Sequence, residues 1–144
     1  MPFADVVFGV PDFAARFAEF DANDFQKAAE KLQAEFPNLK VIATTLREVK
    51  SSSLHDLSAA CFTDGKVFKA TDYTNVQVFD RVGSGDAFAS GLIYGILENR
   101  GEPYSLECGT ACAVLAMTTP GDNSMARLEE VEALIQGADS NVIR

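Results

Sequence analysis

The sequence has little positive charge and no long apolar run. Lysine and arginine together number 12 against 21 aspartates and glutamates, so the formal net charge is -9 with the single histidine neutral. A nucleic-acid partner bound through bulk charge is therefore not expected, and any phosphate must be held by local backbone dipoles, a few cations or a metal. No segment approaches the roughly 18 to 20 uninterrupted apolar residues of a membrane span, so no membrane partner is expected.

Soft metal ligands are scarce as well. The chain has three cysteines and no CxxC pair, which suits a reducing cytoplasm; they are Cys61, Cys108 and Cys112. Residues 1–5 lack the basic region of a signal peptide, so we expect a cytoplasmic protein. Cys108 and Cys112 lie four residues apart, but His55 is the sole further soft ligand and lies far away in the sequence. Small buried thiols are therefore the better interpretation.

Apolar residues make up 47% of the 144 residues and charged residues 23%, enough for one packed core. Periodicity and turn residues predict an alternation of strands and helices. Strands are predicted over 4–10, 39–46 and 76–80, a hairpin over 58–70, and helices over 12–20, 24–36, 86–99, 105–118 and 127–135. This order predicts an α/β fold of three αβα layers, with a mostly parallel sheet and an added antiparallel hairpin.

The chain enters directly on a buried strand, with no earlier βα unit to flank it. A three-layer sheet with so few strands would leave apolar edge surface exposed. We therefore expect residues 1–144 to be a single C-terminal portion of a larger domain.

The motif that carries chemistry runs from Asp80 to Phe88, where a strand ends and a helix begins near Asp86. Gly83 and Gly85 allow a turn in which several backbone N–H groups point one way, at the positive end of the helix dipole. This predicts an anion cradle with a carboxylate at its lip, suited to phosphoryl transfer onto a hydroxyl. The alternative is that Asp86 only caps the helix and the glycines only turn the chain.

The stretch DRVGSGDAFASGLIYGIL, from Asp80 to Leu97, resembles the second signature of the ribokinase-type (PfkB) carbohydrate kinases, D-x-x-G-A/G/S-G-D followed by Ala-Phe and a small-residue helix. Residues 111–122 are similar to the helix, turn and Pro-Gly that follow in the family, and residues 41–46 resemble the strand that leads to its nucleotide loop. The similarity covers nearly the whole chain but matches only the family's C-terminal half. It implies a ribokinase-like fold whose N-terminal sugar-binding half and lid are absent.

The resemblance implies roles for individual residues. Asp86 matches the family's catalytic base, which also contacts the substrate hydroxyl, and 83–85 (Gly83, Ser84 and Gly85) match the anion hole for the γ-phosphate of ATP. The expected nucleotide contacts are Thr45, Leu46, Arg47 and Thr110. Arg47 is equally an ordinary surface arginine, and Thr110 a small core-facing residue. Asp122 matches an acidic position close to the sugar, or is a turn former.

The sequence departs from the family after its first strand. Relatives usually carry Asn-x-x-Glu there, a motif tied to Mg²⁺ and phosphate, whereas this chain has Gly9-Val10-Pro11-Asp12. Asp12 either holds the magnesium water shell or caps the predicted first helix. Ser53, His55 and Asp56 have the residue types of a catalytic triad, but residues this close together in a polar loop cannot adopt the geometry of a triad.

Arg81-Val82 and Pro120-Gly121-Asp122 look most like 2-keto-3-deoxygluconate kinases. The resemblance therefore implies a kinase that uses ATP and Mg²⁺ to phosphorylate the 6-hydroxyl of that sugar acid, with little turnover by this portion alone. The alternatives are a kinase of another sugar or a nucleoside, and a non-catalytic nucleotide-binding module. A homo-oligomer is left open.

Overall fold

The structure is a computed structural model that describes residues 1–11, 13 and 16–137. In these residues one strand and one helix are followed by four strands in succession and then by three helices. They are β1 (Val6–Phe8), α1 (Ala22–Glu35), β2 (Val41–Ser51), β3 (Leu54–Thr63), β4 (Lys66–Lys69), β5 (Tyr73–Gln77), α2 (Ser84–Leu97), α3 (Glu102–Met117) and α4 (Leu128–Ile135). None of the helices in these ranges is both long and apolar enough to cross a membrane.

The strands form one mixed sheet, and the expectation of a mostly parallel sheet is wrong. Only β1 and β2 pair in parallel, across the crossover that contains α1. β3 pairs antiparallel with β2 on one side and with both β4 and β5 on the other. Tight turns join β2 to β3 and β3 to β4, and a tight turn can connect only antiparallel neighbours. At the second turn Asp64 and Gly65 both have positive φ, as the Asp-Gly pair predicts.

Helices cover both faces of the sheet, so the expected three layers are present. Phe25, Ala29 and Leu32 of α1 pack on one face of β2 and β3. The other face carries α2, α3 and α4. Its buried residues include Ala43, Leu57, Ala59, Cys61, Phe88, Leu92, Ala111, Val114, Met117 and Val131. Residues 57, 59 and 61 share the α2/α3 face and residues 60 and 62 the α1 face, following the two-residue period of a strand.

Helices α2 and α3 pack closely because glycines face each other between them. A Cβ on Gly91 would lie 2.8 Å from the carbonyl oxygen of Cys108, and one on Gly109 would lie 2.8 Å from that of Phe88. This packing fixes the orientation of α2, and therefore the position of its first turn.

The helix predicted over 12–20 does not form in its described part. Residues 16–20 make bends, turns and a single parallel bridge between Arg16 and Arg47, while residues 12, 14 and 15 lie outside the described residues. The phenylalanines recur because the segment covers the sheet: Phe13 and Phe20 stack on Phe25 with ring centroids 5.3 and 5.9 Å away.

Candidate functional site

The first turn of α2 has backbone donors without acceptors: among the described residues these are the amides of Gly83, Gly85 and Asp86, whereas the Ser84 amide donates to the Arg81 carbonyl at 3.4 Å. Gly83 precedes the helix with φ 80°, and its carbonyl accepts the first helical hydrogen bond from the amide of Ala87 at 2.9 Å. In the described residues no side chain caps this turn. Amides at such an end lack helical partners and point along the helix axis at the positive end of its dipole. The turn can therefore accept an anion.

Hydrogen bonds within the preceding loop hold the turn in place. The Asp80 carboxylate accepts the amide of Val82 at 2.9 Å, and the Ser84 hydroxyl donates to the Arg81 carbonyl at 2.9 Å. The amide of Phe79 donates to the Met117 carbonyl at 2.9 Å, which attaches the loop to the end of α3. Asp80 thus closes the turn.

A second loop lies directly against Gly83. A Cβ placed on Gly83 would lie 2.4 Å from the backbone carbonyl oxygen of Asp122. The structure therefore brings Asp122, an exposed residue, beside the loop that carries Asp86. Whether the Asp122 carboxylate contacts a sugar stays a prediction.

Arg47 reaches this turn from the sheet. The expectation that β2 ends at residue 46 is wrong, because the strand continues to Ser51 through its pairing with β3. Thr45 and Leu46 therefore lie within the strand, Leu46 fully buried against α1. The Arg47 guanidinium donates from Nη2 to the Ser84 Oγ at 3.2 Å. Its partial burial, with the nearby Arg81 charge, lowers the pKa of Arg47.

Asp86 occupies the first turn of α2 with its side chain exposed. Its carboxylate makes no ion pair with any residue that the structure describes. A carboxylate that is open to solvent and next to free amides can accept a proton from a hydroxyl held there. The arrangement is therefore chemically suited to the predicted base, a role that remains a prediction.

Two further residues that were predicted for the nucleotide or the metal are not at the first turn of α2 in the described part of the structure. Thr110 is 1% exposed in α3, and its hydroxyl donates to the Leu106 carbonyl at 2.8 Å, so an adenine contact there stays a prediction. Asp12 lies outside the described residues. Within those described, no three His, Cys, Asp or Glu side chains group to hold a metal ion. These residues do not fit a protein-held Mg²⁺.

Sequence reasoning missed His55. It lies in β3, not in a polar loop, and is 2% exposed with no hydrogen-bond partner for Nδ1. Burial, Arg47 and Arg81 together lower the pKa of the imidazole. Its neighbour Asp56 instead accepts the amide of Asn75 at 2.7 Å, and a triad is not formed. The alternation His55, Leu57, Ala59 could have indicated a buried strand.

A cavity of about 260 Å³ adjoins Arg47 on the side away from β3. Its walls come from the turn after β1 and from the second half of β2. They include Arg16, Phe17, Glu19, Arg47, Glu48 and Val49. The cavity thus lies beside Arg47, the residue that donates to Ser84 in the first turn of α2.

Comparison with known proteins identifies the class. The sequence pattern of the pfkB family carbohydrate kinases matches residues 11–128, and the chain belongs to that family. A 5-dehydro-2-deoxygluconokinase of Bacillus subtilis is 32% identical over 80 residues, which is 55% of this chain and 24% of that protein.

Two solved structures share the fold over almost the whole chain. A 2-dehydro-3-deoxygluconokinase of Thermotoga maritima is 29% identical with a TM-score of 0.84, covering 94% of this chain and 43% of that one. A putative 2-keto-3-deoxygluconate kinase of Enterococcus faecalis is 25% identical with a TM-score of 0.79, covering 99% and 43%. The chain thus spans less than half the length of these kinases.

Proposed function

We propose that this chain is the phosphate-binding and proton-accepting portion of an ATP-dependent sugar-acid kinase. The observation that carries the proposal is the uncapped first turn of α2, with Arg47 bonded to Ser84 and the Asp86 carboxylate exposed in the same turn. Membership of the carbohydrate kinase family supports the same reaction class.

In this reaction the sugar's 6-hydroxyl oxygen attacks the γ-phosphorus of ATP, and the bond to the ADP oxygen breaks. Asp86 accepts the hydroxyl proton, a contribution of about 10²- to 10⁴-fold in rate. The amides of 83–86 and Arg47 stabilise the charge on the transferring group. Thr45, Leu46 and Thr110 remain expected nucleotide contacts. Mg²⁺ is expected to arrive on the ATP phosphates, and no step here depends on a metal held by this chain.

The proposed substrate is 2-keto-3-deoxygluconate, with 5-dehydro-2-deoxygluconate as the alternative. The similar proteins are named as kinases of one or the other of these two compounds, both deoxy keto derivatives of gluconate. ADP release by the longer kinase of which this chain is proposed to be a portion, measured with each sugar acid in turn, distinguishes them. A preference for a neutral sugar would contradict both.

Calorimetric titration of ATP into the chain tests the phosphate-binding role, with Asp86→Asn and Glu98→Gln compared. Both variants remove one exposed acid from α2, at opposite ends. We expect wild type to bind ATP and Asp86→Asn to bind about fivefold tighter, because removing a like charge ~4 Å away in water is worth about 1 kcal/mol. Glu98→Gln, about 18 Å along the helix, should match wild type.

The proposal fails if wild type binds no ATP, or if Asp86→Asn abolishes binding. Sugar-dependent ADP release by the chain alone should be close to background, because the missing portion of the fold is expected to position the sugar. Rapid ADP release by the chain alone would contradict the expectation that the chain is only a portion of the kinase. Loss of that ADP release in Asp86→Asn would still identify Asp86 as the base.

A further inference from the structure

Two arginines lie at the first turn of α2 without carboxylate partners. The Arg47 guanidinium donates to the Ser84 Oγ at 3.2 Å, and the Ser84 hydroxyl donates to the Arg81 carbonyl at 2.9 Å, so Ser84 joins the two residues. Burial and the Arg81 charge lower the pKa of Arg47. Among the described residues neither guanidinium makes an ion pair, although the protein has 21 acidic side chains. Asp80, next to Arg81, accepts the Val82 amide instead, and Glu48, next to Arg47, forms no ion pair within the described residues. Two like charges held together unneutralised favour an anion between them.

A buried, unpartnered imidazole lies on the same side. His55 and Arg47 are diagonal neighbours on β3 and β2, since Val49 pairs with His55 and Leu57 pairs with Arg47. The His55 Nδ1 has no partner although the residue is 2% exposed. A buried polar nitrogen without a partner is uncommon in folded proteins, so His55 marks a polar position beside Arg47 on this face of the sheet.

We propose that Arg47 and Arg81 form a polyphosphate clamp with the first turn of α2, in which Arg81 binds the terminal phosphate. The proposal rests on the proposed function and adds Arg81 and His55 to it. Arg81 is exposed and flanks the turn, so its guanidinium can reach an anion seated on the amides of 83–86.

A terminal phosphate suits this clamp better than a carboxylate does. Guanidinium groups bind phosphate oxygens in a bidentate manner, and a dianionic group can engage two guanidiniums and the helix amides together. A carboxylate has two oxygens and one charge, so it would leave one cation unneutralised. Arg47 and Arg81 therefore supply positive charge from the chain itself at this turn.

Titration of inorganic tripolyphosphate and of ATP into the chain at low salt tests the clamp. Arg81→Gln is compared with Lys27→Gln, which removes the same charge from an exposed position in α1. Arg81→Gln should bind both ligands about tenfold more weakly, which corresponds to about 1.4 kcal/mol, because it loses a charge-assisted hydrogen bond to the phosphate. Lys27→Gln should bind as wild type, and Arg81→Lys should recover part of the loss.

The single histidine provides a second readout. A bound polyphosphate offsets the arginine charges, so the His55 imidazole should titrate at a higher pH when ligand is present, followed by NMR. Wild type and Lys27→Gln should show this rise, and Arg81→Gln should show a smaller one. A role for Arg81 in folding alone would not produce this difference.

Equal binding by Arg81→Gln and Lys27→Gln, with ATP still bound, overturns the clamp and leaves the proposed function standing. Binding of tripolyphosphate that depends on Arg81, without binding of ATP, supports the clamp and overturns the proposed function. Binding of neither ligand by wild type overturns both.

Discussion

Gly83 connects the two loops of the site. Its φ of 80° is in the left-handed region, and its missing side chain leaves room for the carbonyl of Asp122. A non-glycine residue at such a φ costs of order 1–3 kcal/mol, before any clash. The glycine therefore sets the entry angle of α2 and the distance between the two loops.

Replacement of Gly83 by alanine should reduce the free energy of unfolding by at least about 2 kcal/mol, from backbone strain together with the clash against Asp122. Gly85→Ala is the matched control, because its Cβ meets nothing within 4 Å and its helical position favours alanine by roughly 0.5–1 kcal/mol. Urea unfolding followed by circular dichroism measures both. Equal effects of the two substitutions would contradict the close contact.

At the residue scale the sequence indicated only what is local. Gly83 and Asp86 form one short motif, so their position at a helix start could be predicted. The bond from Arg47 to Ser84 joins residues 37 positions apart, and the burial of His55 depends on two neighbouring strands. The periodicity of the sequence does not predict these contacts, because they depend on how α2 packs against the sheet.

Helix α1 shows how an element's start depends on a single cap. The sequence predicted a helix that begins at Asp24, but the structure caps it at Asp21, whose Oδ1 accepts the amides of Asn23 and Asp24 at 2.8 and 3.0 Å. Both residues are acidic and three positions apart, so composition alone did not distinguish them. Backbone geometry decides, since Asp21 has the extended φ and ψ of a cap.

Asp21→Ala should lower the free energy of unfolding by about 1 kcal/mol, the usual effect of losing a cap. Asp24→Ala removes only a favourable charge near the helix N-terminus and should cost about 0.5 kcal/mol or less. Thermal or urea unfolding of the two variants side by side measures the difference. A larger loss in Asp24→Ala would contradict the observed cap.

Element positions were more predictable than their pairing. The Asp-Gly turn and the helical periods placed β3, β4 and the last three helices to within a few residues. Tertiary contact extended β2 well past residue 46, because β3 pairs along its whole length. The phenylalanines within residues 12–20 are spaced as in an amphipathic helix, but in the structure their rings pack over the sheet. The spacing of apolar residues does not distinguish a helix from such a covering segment.

At the scale of the whole molecule, a protein of net charge -9 brings two arginines to one helix N-terminus, beside the carboxylate of Asp86. Neither Arg47 nor Arg81 forms an ion pair among the described residues. Three layers could be predicted from element order, but strand direction could not, since tight turns made the sheet mostly antiparallel. The chain covers 43% of each of the two similar sugar-acid kinase structures.

The central claim is that the amides of 83–86 bind the terminal phosphate of ATP beside Asp86. Amide ¹⁵N–¹H NMR spectra of the chain, recorded during titration with ATP and separately with adenosine, test it directly. The account predicts large, saturable shifts of the 83–86 amides with ATP, and much smaller ones with adenosine. Unchanged chemical shifts of these four amides with ATP, or equal changes with ATP and adenosine, would contradict it.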